Sequence, residues 1–97
     1  MTVRQRFSAG EAAAIGERLG IDWSSSAFDI EQFRAGMDVE LEHGLQDPVT
    51  NVTEDDPIVT GKIALAHLRE FADYYTRLER MEAEARAYWS SRRAQAD

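Results

Sequence analysis

The chain has 97 residues, with 18 Asp and Glu against 11 Lys and Arg, a net charge of −7 and no Cys. Binding of nucleic acid requires a basic surface, so this composition argues against a nucleic-acid partner. Without Cys there is no disulfide, thiolate ligand or thiol nucleophile, which is typical of a reducing compartment. No apolar run approaches the ~20 residues that span a bilayer, and the N-terminus lacks the apolar stretch of a signal peptide. We therefore expect a cytoplasmic protein without a membrane partner.

The negative charge is concentrated in one segment, residues 29–56. Nine acidic residues and one Arg give this segment a net charge of −8, more than that of the whole chain. The acids are Asp29, Glu31, Asp38, Glu40, Glu42, Asp47, Glu54, Asp55 and Asp56. Some have local roles as helix caps and turn residues, but Arg34 can pair with only one of Asp38, Glu40 and Glu42. The others are expected to face water, a metal ion or a basic protein partner.

The first predicted helix begins after Ser8. Ser8 and Glu11 have the spacing of a capping box, in which each side chain binds the backbone N–H of the other. Gly20 supplies the left-handed residue that ends a helix, so this helix should end near Leu19.

The second predicted helix begins at Asp29, with Gln32 at the capping-box position, and ends near Gly44. Its apolar face is formed by Ile30, Phe33, Met37 and Leu41. Residues 37–43 also alternate between apolar and polar, which is typical of a strand. We favour a helix there, because no second clear strand exists to pair with it.

The third predicted helix follows a turn-rich stretch over residues 45–56. Asp56 and Pro57 are typical of an N-cap and a first helical residue, and the apolar pattern continues to about Trp89. A helix of that length is roughly 50 Å long, whereas a domain of this size is about 30 Å across. The stretch from Leu78 to Trp89 is therefore expected to overhang the domain, and its exposed apolar residues favour self-association.

These elements predict a small all-α domain of three helices, in which the long last helix forms an antiparallel hairpin with the second. Residues 1–89 would form this single domain, which is large enough to fold without metal or disulfides, and residues 90–97 a solvated C-terminal tail.

The two histidines each have a glutamate three positions away, in the pairs Glu40 and His43, and His67 and Glu70. Residues at i and i+3 of a helix share a face and can share a cation, and an antiparallel hairpin would bring both pairs level. Two nitrogen and two oxygen ligands suit Zn²⁺, Mn²⁺ or Fe²⁺ better than Ca²⁺ or Mg²⁺. We predict a divalent transition metal at these four residues, with Tyr74 beside them.

Two alternatives use the same residues differently. In a structural interpretation, a buried His67 forms a hydrogen bond with Glu40, Tyr74 or a backbone carbonyl, and no metal is bound. The protein is then a non-catalytic interaction or oligomerisation module, and we expect it to be a homo-oligomer. The other alternative is an enzyme. It is the least favoured of the three, because so small a helical domain offers little cleft to perturb the pKa of a carboxyl group.

Two sequence motifs resemble a known family. They are Val39-Glu-Leu-Glu-His-Gly44 and the stretch from Ile63 to Leu78, which contains His67-Leu-Arg-Glu70 and Asp73-Tyr-Tyr75. With them, residues 8–84 resemble a family of short bacterial and phage proteins known only as a domain of unknown function. The resemblance implies no activity, but its motif includes all four predicted metal ligands. Ala72 stands where the family pattern has Pro, so we expect a straighter helix there.

Overall fold

The computed structural model describes residues 6–96, and side chains as far as residue 93. It contains four α-helices, which are α1 (Ala9–Arg18), α2 (Ile30–Glu40), α3 (Pro57–Glu70) and α4 (Tyr74–Ala96). A short 3₁₀ turn, Leu41–His43, extends α2. No strand occurs within residues 6–96, so the all-α prediction is confirmed. Residues 1–5 of the predicted domain and residue 97 of the predicted tail lie outside the described residues.

The predicted helix starts are confirmed by their caps. Ser8 and Glu11 form the reciprocal capping box of α1, with N···O distances of 2.9 and 3.1 Å. Gly20 follows with a positive φ of 91°, the left-handed conformation that favours glycine after a helix. Asp29 accepts a hydrogen bond from the backbone N–H of Gln32, and Asp56 accepts from the second and third residues of α3. These ends therefore depend on local chemistry that is visible in the sequence.

The ambiguous stretch over residues 37–43 is helical. It comprises the last turn of α2 and the 3₁₀ turn that follows it. Met37 and Leu41 are buried on one side of this stretch, with relative exposures of 0% and 2%. Burial therefore follows the helical spacing and not the alternation, since Glu40 is buried as well, and the preference for a helix was correct.

The prediction of one continuous helix from Pro57 to Trp89 is wrong. The helix stops at Glu70, Phe71 is extended with φ −143° and ψ 130°, and a new helix starts at Tyr74. The chain thus has four helices instead of three, and it is not straighter at Ala72. In one continuous helix, positions seven residues apart lie about 10.5 Å apart along the axis. The break instead brings the rings of His67 and Tyr74 into stacking contact, with centroids 4.3 Å apart.

The core lies between α1, α2 and α3. Its buried apolar side chains are Phe7, Ala12, Phe33, Met37, Leu41, Ala64, Leu68 and Tyr75. α2 packs against both α1 and α3, and α4 contributes Tyr75 from its first turn. The predicted antiparallel hairpin between the last helix and the second helix stays a prediction.

α4 extends beyond this core. The described residues span 52 × 33 × 19 Å, and α4 alone has 23 residues, or about 35 Å of helix. Every residue from 79 to 93 except Glu82 is exposed. We call residues 79–93 the projecting segment, and residues 7–75 the packed region. Residues 90–96, predicted as part of a solvated tail, continue the helix. No helix among residues 6–96 is both long enough and apolar enough to span a membrane.

Candidate functional site

A buried carboxylate lies at the C-terminal end of α2. Glu40 has a relative exposure of 5%, and the hydroxyl of Tyr75 donates a hydrogen bond to its Oε2 at 2.7 Å. Burying a carboxylate is costly unless a donor satisfies it, and Tyr75 supplies that donor from α4. Burial, and then the hydrogen bond to Glu40, raise the pKa of Tyr75 far above its usual range, so its hydroxyl stays protonated.

Gly36 makes room for this contact. It lies one helical turn before Glu40, and the ring of Tyr75 packs directly against its backbone. A Cβ atom at position 36 would collide with Cε2 of Tyr75, so a larger residue would push the ring away from α2. Gly36 and Glu40 therefore act together. Gly36 provides the space for the Tyr75 ring, and Glu40 accepts a hydrogen bond from its hydroxyl.

His43 lies next to this pair but nearer the surface. Its Nε2 is 3.3 Å from Oε1 of Glu42 and 3.9 Å from Oε1 of Glu40, and its side chain is 45% exposed. Burial raises the pKa of the Glu42 carboxyl, His43 opposes that shift, and the charges of Glu82 and Glu40 add to it. Such half-exposed ionic contacts contribute little to stability.

His67 is held by aromatic contacts. Its ring stacks on Tyr74 with an interplanar angle of 9°, and it meets the ring of Tyr75 edge-on with centroids 6.2 Å apart. Its Nδ1 is buried and has no hydrogen-bond partner among the described residues. The predicted hydrogen bond from His67 to Glu40, Tyr74 or a backbone carbonyl is therefore not formed at Nδ1 within residues 6–96.

The predicted metal ligands are only partly brought together. Glu40 and His43 are adjacent, and His67 approaches Glu40 only through the intervening Tyr75. Glu70 is exposed at the end of α3, and no ion pair reaches it within residues 6–96. No group of three or more His, Cys, Asp or Glu in the described part of the chain is arranged to hold a metal ion. The four-residue site stays a prediction.

Sequence reasoning missed the role of Tyr75. Tyr74 was predicted to lie beside the ligands, but Tyr75 donates to Glu40, whereas Tyr74 stacks on His67. Gly36 was a usable signal, because a glycine inside an apolar helical face often marks the close approach of another side chain. It could not identify which side chain approaches.

The acidic segment over residues 29–56 is largely satisfied by its own chain. Asp29 and Asp56 cap helices, and Asp38 accepts from Arg34 at 2.6 Å and from the Phe7 backbone N–H at 2.7 Å. Glu40 accepts a hydrogen bond from Tyr75, and the carboxylate of Glu42 lies 3.3 Å from Nε2 of His43. The segment's charge is therefore weaker support for a missing cation than the sequence suggested.

Two acids outside that segment do lack partners. A groove of about 280 Å³ lies between α2 and α4, and four of its nine lining residues are acids: Asp29, Glu31, Glu79 and Glu82. Asp29 caps α2, and Glu31 binds Arg34. On the α4 side, the side chains of Glu79 and Glu82 form no hydrogen bond or ion pair with any other residue between 6 and 96. We call this the α2–α4 groove.

The projecting segment carries exposed aromatic and basic side chains. Met81, Tyr88 and Trp89 are 59%, 52% and 59% exposed. The rings of Tyr88 and Trp89 meet edge to face, with centroids 5.1 Å apart, and the guanidinium of Arg92 lies 5.5 Å from the Tyr88 centroid. Tyr88 and Trp89 thus contact each other and Arg92 contacts the Tyr88 ring, whereas Met81 lies in a surface depression beside Phe71 and Tyr74.

Fold and contacts together define a small helical protein with a buried Tyr–Glu pair and a projecting last helix. Residues 12–84 match the family described as protein of unknown function DUF5661, and the chain belongs to that family. The predicted resemblance to a domain-of-unknown-function family is confirmed, over slightly fewer residues than 8–84. No curated protein and no solved structure matches the chain.

Proposed function

We propose that this protein is a non-catalytic interaction module of the cytoplasm that self-associates through the projecting segment of α4. The observation that carries the proposal is the exposure of Trp89, which is 59% accessible in a helix that has already left the core. The family match ends at residue 84, so the proposal concerns this chain and not the family.

The burial pattern along α4 supports this function. Tyr75 is 5% exposed and belongs to the core, and Leu78 is half-buried at its edge. Beyond Leu78 every side chain as far as residue 93 except that of Glu82 is exposed, and Met81 is the last large apolar side chain that lies beside Phe71 and Tyr74. Exposed Met, Tyr and Trp residues in one patch are typical of the centre of a protein–protein interface. The packed region is then a base that holds the projecting segment in the solvent.

Sedimentation equilibrium tests self-association directly. We expect the 11.0 kDa chain to convert to a dimer as its concentration rises through the micromolar range. Trp89→Ala should shift this equilibrium towards the monomer by about tenfold or more, because a central aromatic anchor typically contributes 2 kcal/mol or more. The control is Val49→Ala, which truncates a 90% exposed apolar residue in the loop before α3 and should change nothing. A wild-type chain that stays monomeric at high concentration would contradict the proposal.

Metal binding at Glu40, His43, His67 and Glu70 is the second candidate. Its support is the approach of the half-exposed imidazole of His43 to two carboxylates. It has less support than self-association, because the Tyr75 hydroxyl already donates to Glu40. Elemental analysis of untagged protein tests it: a stoichiometric divalent metal that is lost in His67→Ala supports the site, and metal-free protein rejects it.

A further inference from the structure

The face of α4 that reaches the core continues along the projecting segment. Tyr75, Glu82 and Trp89 follow one another at intervals of seven residues, so helical geometry places them within about 40° of one line along α4. Tyr75 packs against α2, and Glu82 lines the α2–α4 groove. Trp89 lies on the same face about 10 Å further along, beyond the packed region. A partner that covers Trp89 therefore also meets the end of the groove.

The two ends of this face have opposite charge. The groove contributes Glu79 and Glu82, which have no partner in residues 6–96. The far end contributes Arg86 and Arg93, which lie beside Trp89 and likewise have no ion-pair partner in that range. One helix face thus presents unpaired carboxylates at positions 79 and 82, followed by unpaired guanidinium groups about one turn and three turns after Glu82.

Resting on the proposed self-association, we infer that two copies of α4 pair antiparallel, with the Arg-bearing end of each helix in the α2–α4 groove of the other. A two-fold axis near Ala85 makes the contact self-complementary, as a closed dimer requires. Such an axis sets Glu79 level with Arg92 and Arg93, of which Arg93 lies on this face and Arg92 lies over the Tyr88 ring, and it sets Glu82 level with Trp89. On this axis Ala85 of one helix faces Arg86 of the other, so a small side chain lies at the crossing point and Arg93, not Arg86, supplies the contact with the groove.

Charge complementarity identifies the occupant as a second copy. The groove is acidic, so it fits a basic segment, and the projecting segment is basic and aromatic over its last two turns. The required partner chemistry is therefore present on the same chain, at a spacing that lets both contacts form at once. The basic partner that the acidic composition suggested is, on this inference, another molecule of the same protein.

Complementary charge reversals test the pairing. Variant A carries Glu79→Lys and Glu82→Lys in the groove, and variant B carries Arg92→Glu and Arg93→Glu in the projecting segment. In a homodimer of either variant, like charges face each other twice, so the dimer dissociation constant should rise about tenfold or more. In an equimolar mixture of A and B, both contacts join opposite charges, and we expect a heterodimer close to wild-type affinity.

The same experiment distinguishes the antiparallel pairing of α4 from self-association in general. Sedimentation of each variant alone and of the mixture, with far-UV circular dichroism to verify folding, gives the readout. A wild-type dimer that both variants form equally well, or a mixture that recovers no association, overturns the antiparallel pairing and leaves the proposed function standing. A wild type that is monomeric overturns both. If either double variant fails to fold, Glu79→Lys mixed with Arg93→Glu applies the same test with one reversal on each side.

Discussion

The packed region and the projecting segment carry the same kind of side chain in opposite environments. Phe33 on α2 is 0% exposed and meets the ring of Trp23 with centroids 5.7 Å apart, whereas Trp89 on α4 is 59% exposed. The apolar periodicity of the sequence assigns both to a helical face that can be buried. The difference shows that periodicity identifies which face of a helix can be buried, while burial itself depends on whether another element lies against that face.

Matched truncations of these two aromatics give the largest expected contrast. Phe33→Ala should lower the free energy of unfolding by about 3–5 kcal/mol, because it removes a fully buried ring and leaves a cavity. Trp89→Ala should change it by no more than about 0.5 kcal/mol at a concentration where the chain is monomeric. Urea denaturation at low protein concentration measures both. A large loss of unfolding free energy in Trp89→Ala would mean that the projecting segment packs against its own chain.

The same contrast explains how much of the fold the sequence predicted. The helix starts at Ser8, Asp29 and Asp56 were correct, because each cap is a contact between residues two or three positions apart. The break at Phe71 was missed, because it has no local signal such as Gly or Pro. The break accompanies the burial of Tyr75 against α2, a contact between distant parts of the chain that no local pattern reveals.

The hydrogen bond from Tyr75 to Glu40 should give the next largest effect. Tyr75→Phe leaves a buried carboxylate without its donor and should cost about 1–3 kcal/mol of unfolding free energy. Tyr88→Phe removes the same hydroxyl from a ring that is 52% exposed in the projecting segment, and should cost almost nothing. Thermal and urea unfolding of the two variants provide the comparison.

A double variant separates the hydrogen bond from packing. Tyr75→Phe combined with Glu40→Leu removes both polar partners, so we expect it to regain part of the stability lost in Tyr75→Phe alone. If the double variant is less stable than the single one, Glu40 has another buried partner and the pair does not act as described.

The candidate site was predicted less well than the fold. Glu40 and His43 were correctly grouped, because they lie three positions apart in a continuous helical stretch. His67 and Glu70 were grouped with them only through an assumed register between two helices. The break after Glu70 alters what His67 contacts: its ring meets Tyr74 and Tyr75, which no local pattern predicts.

His67→Phe should have a smaller effect, and in the opposite direction. The buried Nδ1 of His67 has no hydrogen-bond partner, so a phenyl ring of similar shape can keep the stacking on Tyr74 and remove an unsatisfied polar atom. We expect unfolding free energy to be unchanged or higher by up to about 1 kcal/mol. His67→Ala, which loses the stacking as well, should be less stable than wild type. Equal losses in the two variants would indicate that an imidazole nitrogen is required.

The smallest expected effect on unfolding free energy concerns the boundary between the two regions. There the charge of Glu82 on α4 acts on the carboxyl group of Glu42 in the 3₁₀ turn. Burial, with the charges of Glu82 and Glu40, holds the pKa of Glu42 above its value of 4.5 in an unfolded chain. A raised carboxyl pKa means that the folded state binds protons more tightly, so stability is fully present below pH 4.5 and falls as the pH rises through the folded pKa. Glu42→Gln should therefore stabilise the protein at pH 7 by about 0.5 kcal/mol or less, with the gain vanishing near pH 4.

The pH profile of this variant also reports on where α4 lies. Because the charge of Glu82 helps to raise the pKa of Glu42, the gain from Glu42→Gln should shrink when Glu82 is already Gln. Glu17→Gln, on the exposed side of α1, is the control and should give no such pH-dependent gain. Unfolding measured from pH 4 to pH 8 in the four variants of the Glu42 and Glu82 cycle completes the test. If the two substitutions are strictly additive at pH 7, Glu82 does not approach α2, and α4 leaves the packed region earlier than residue 79.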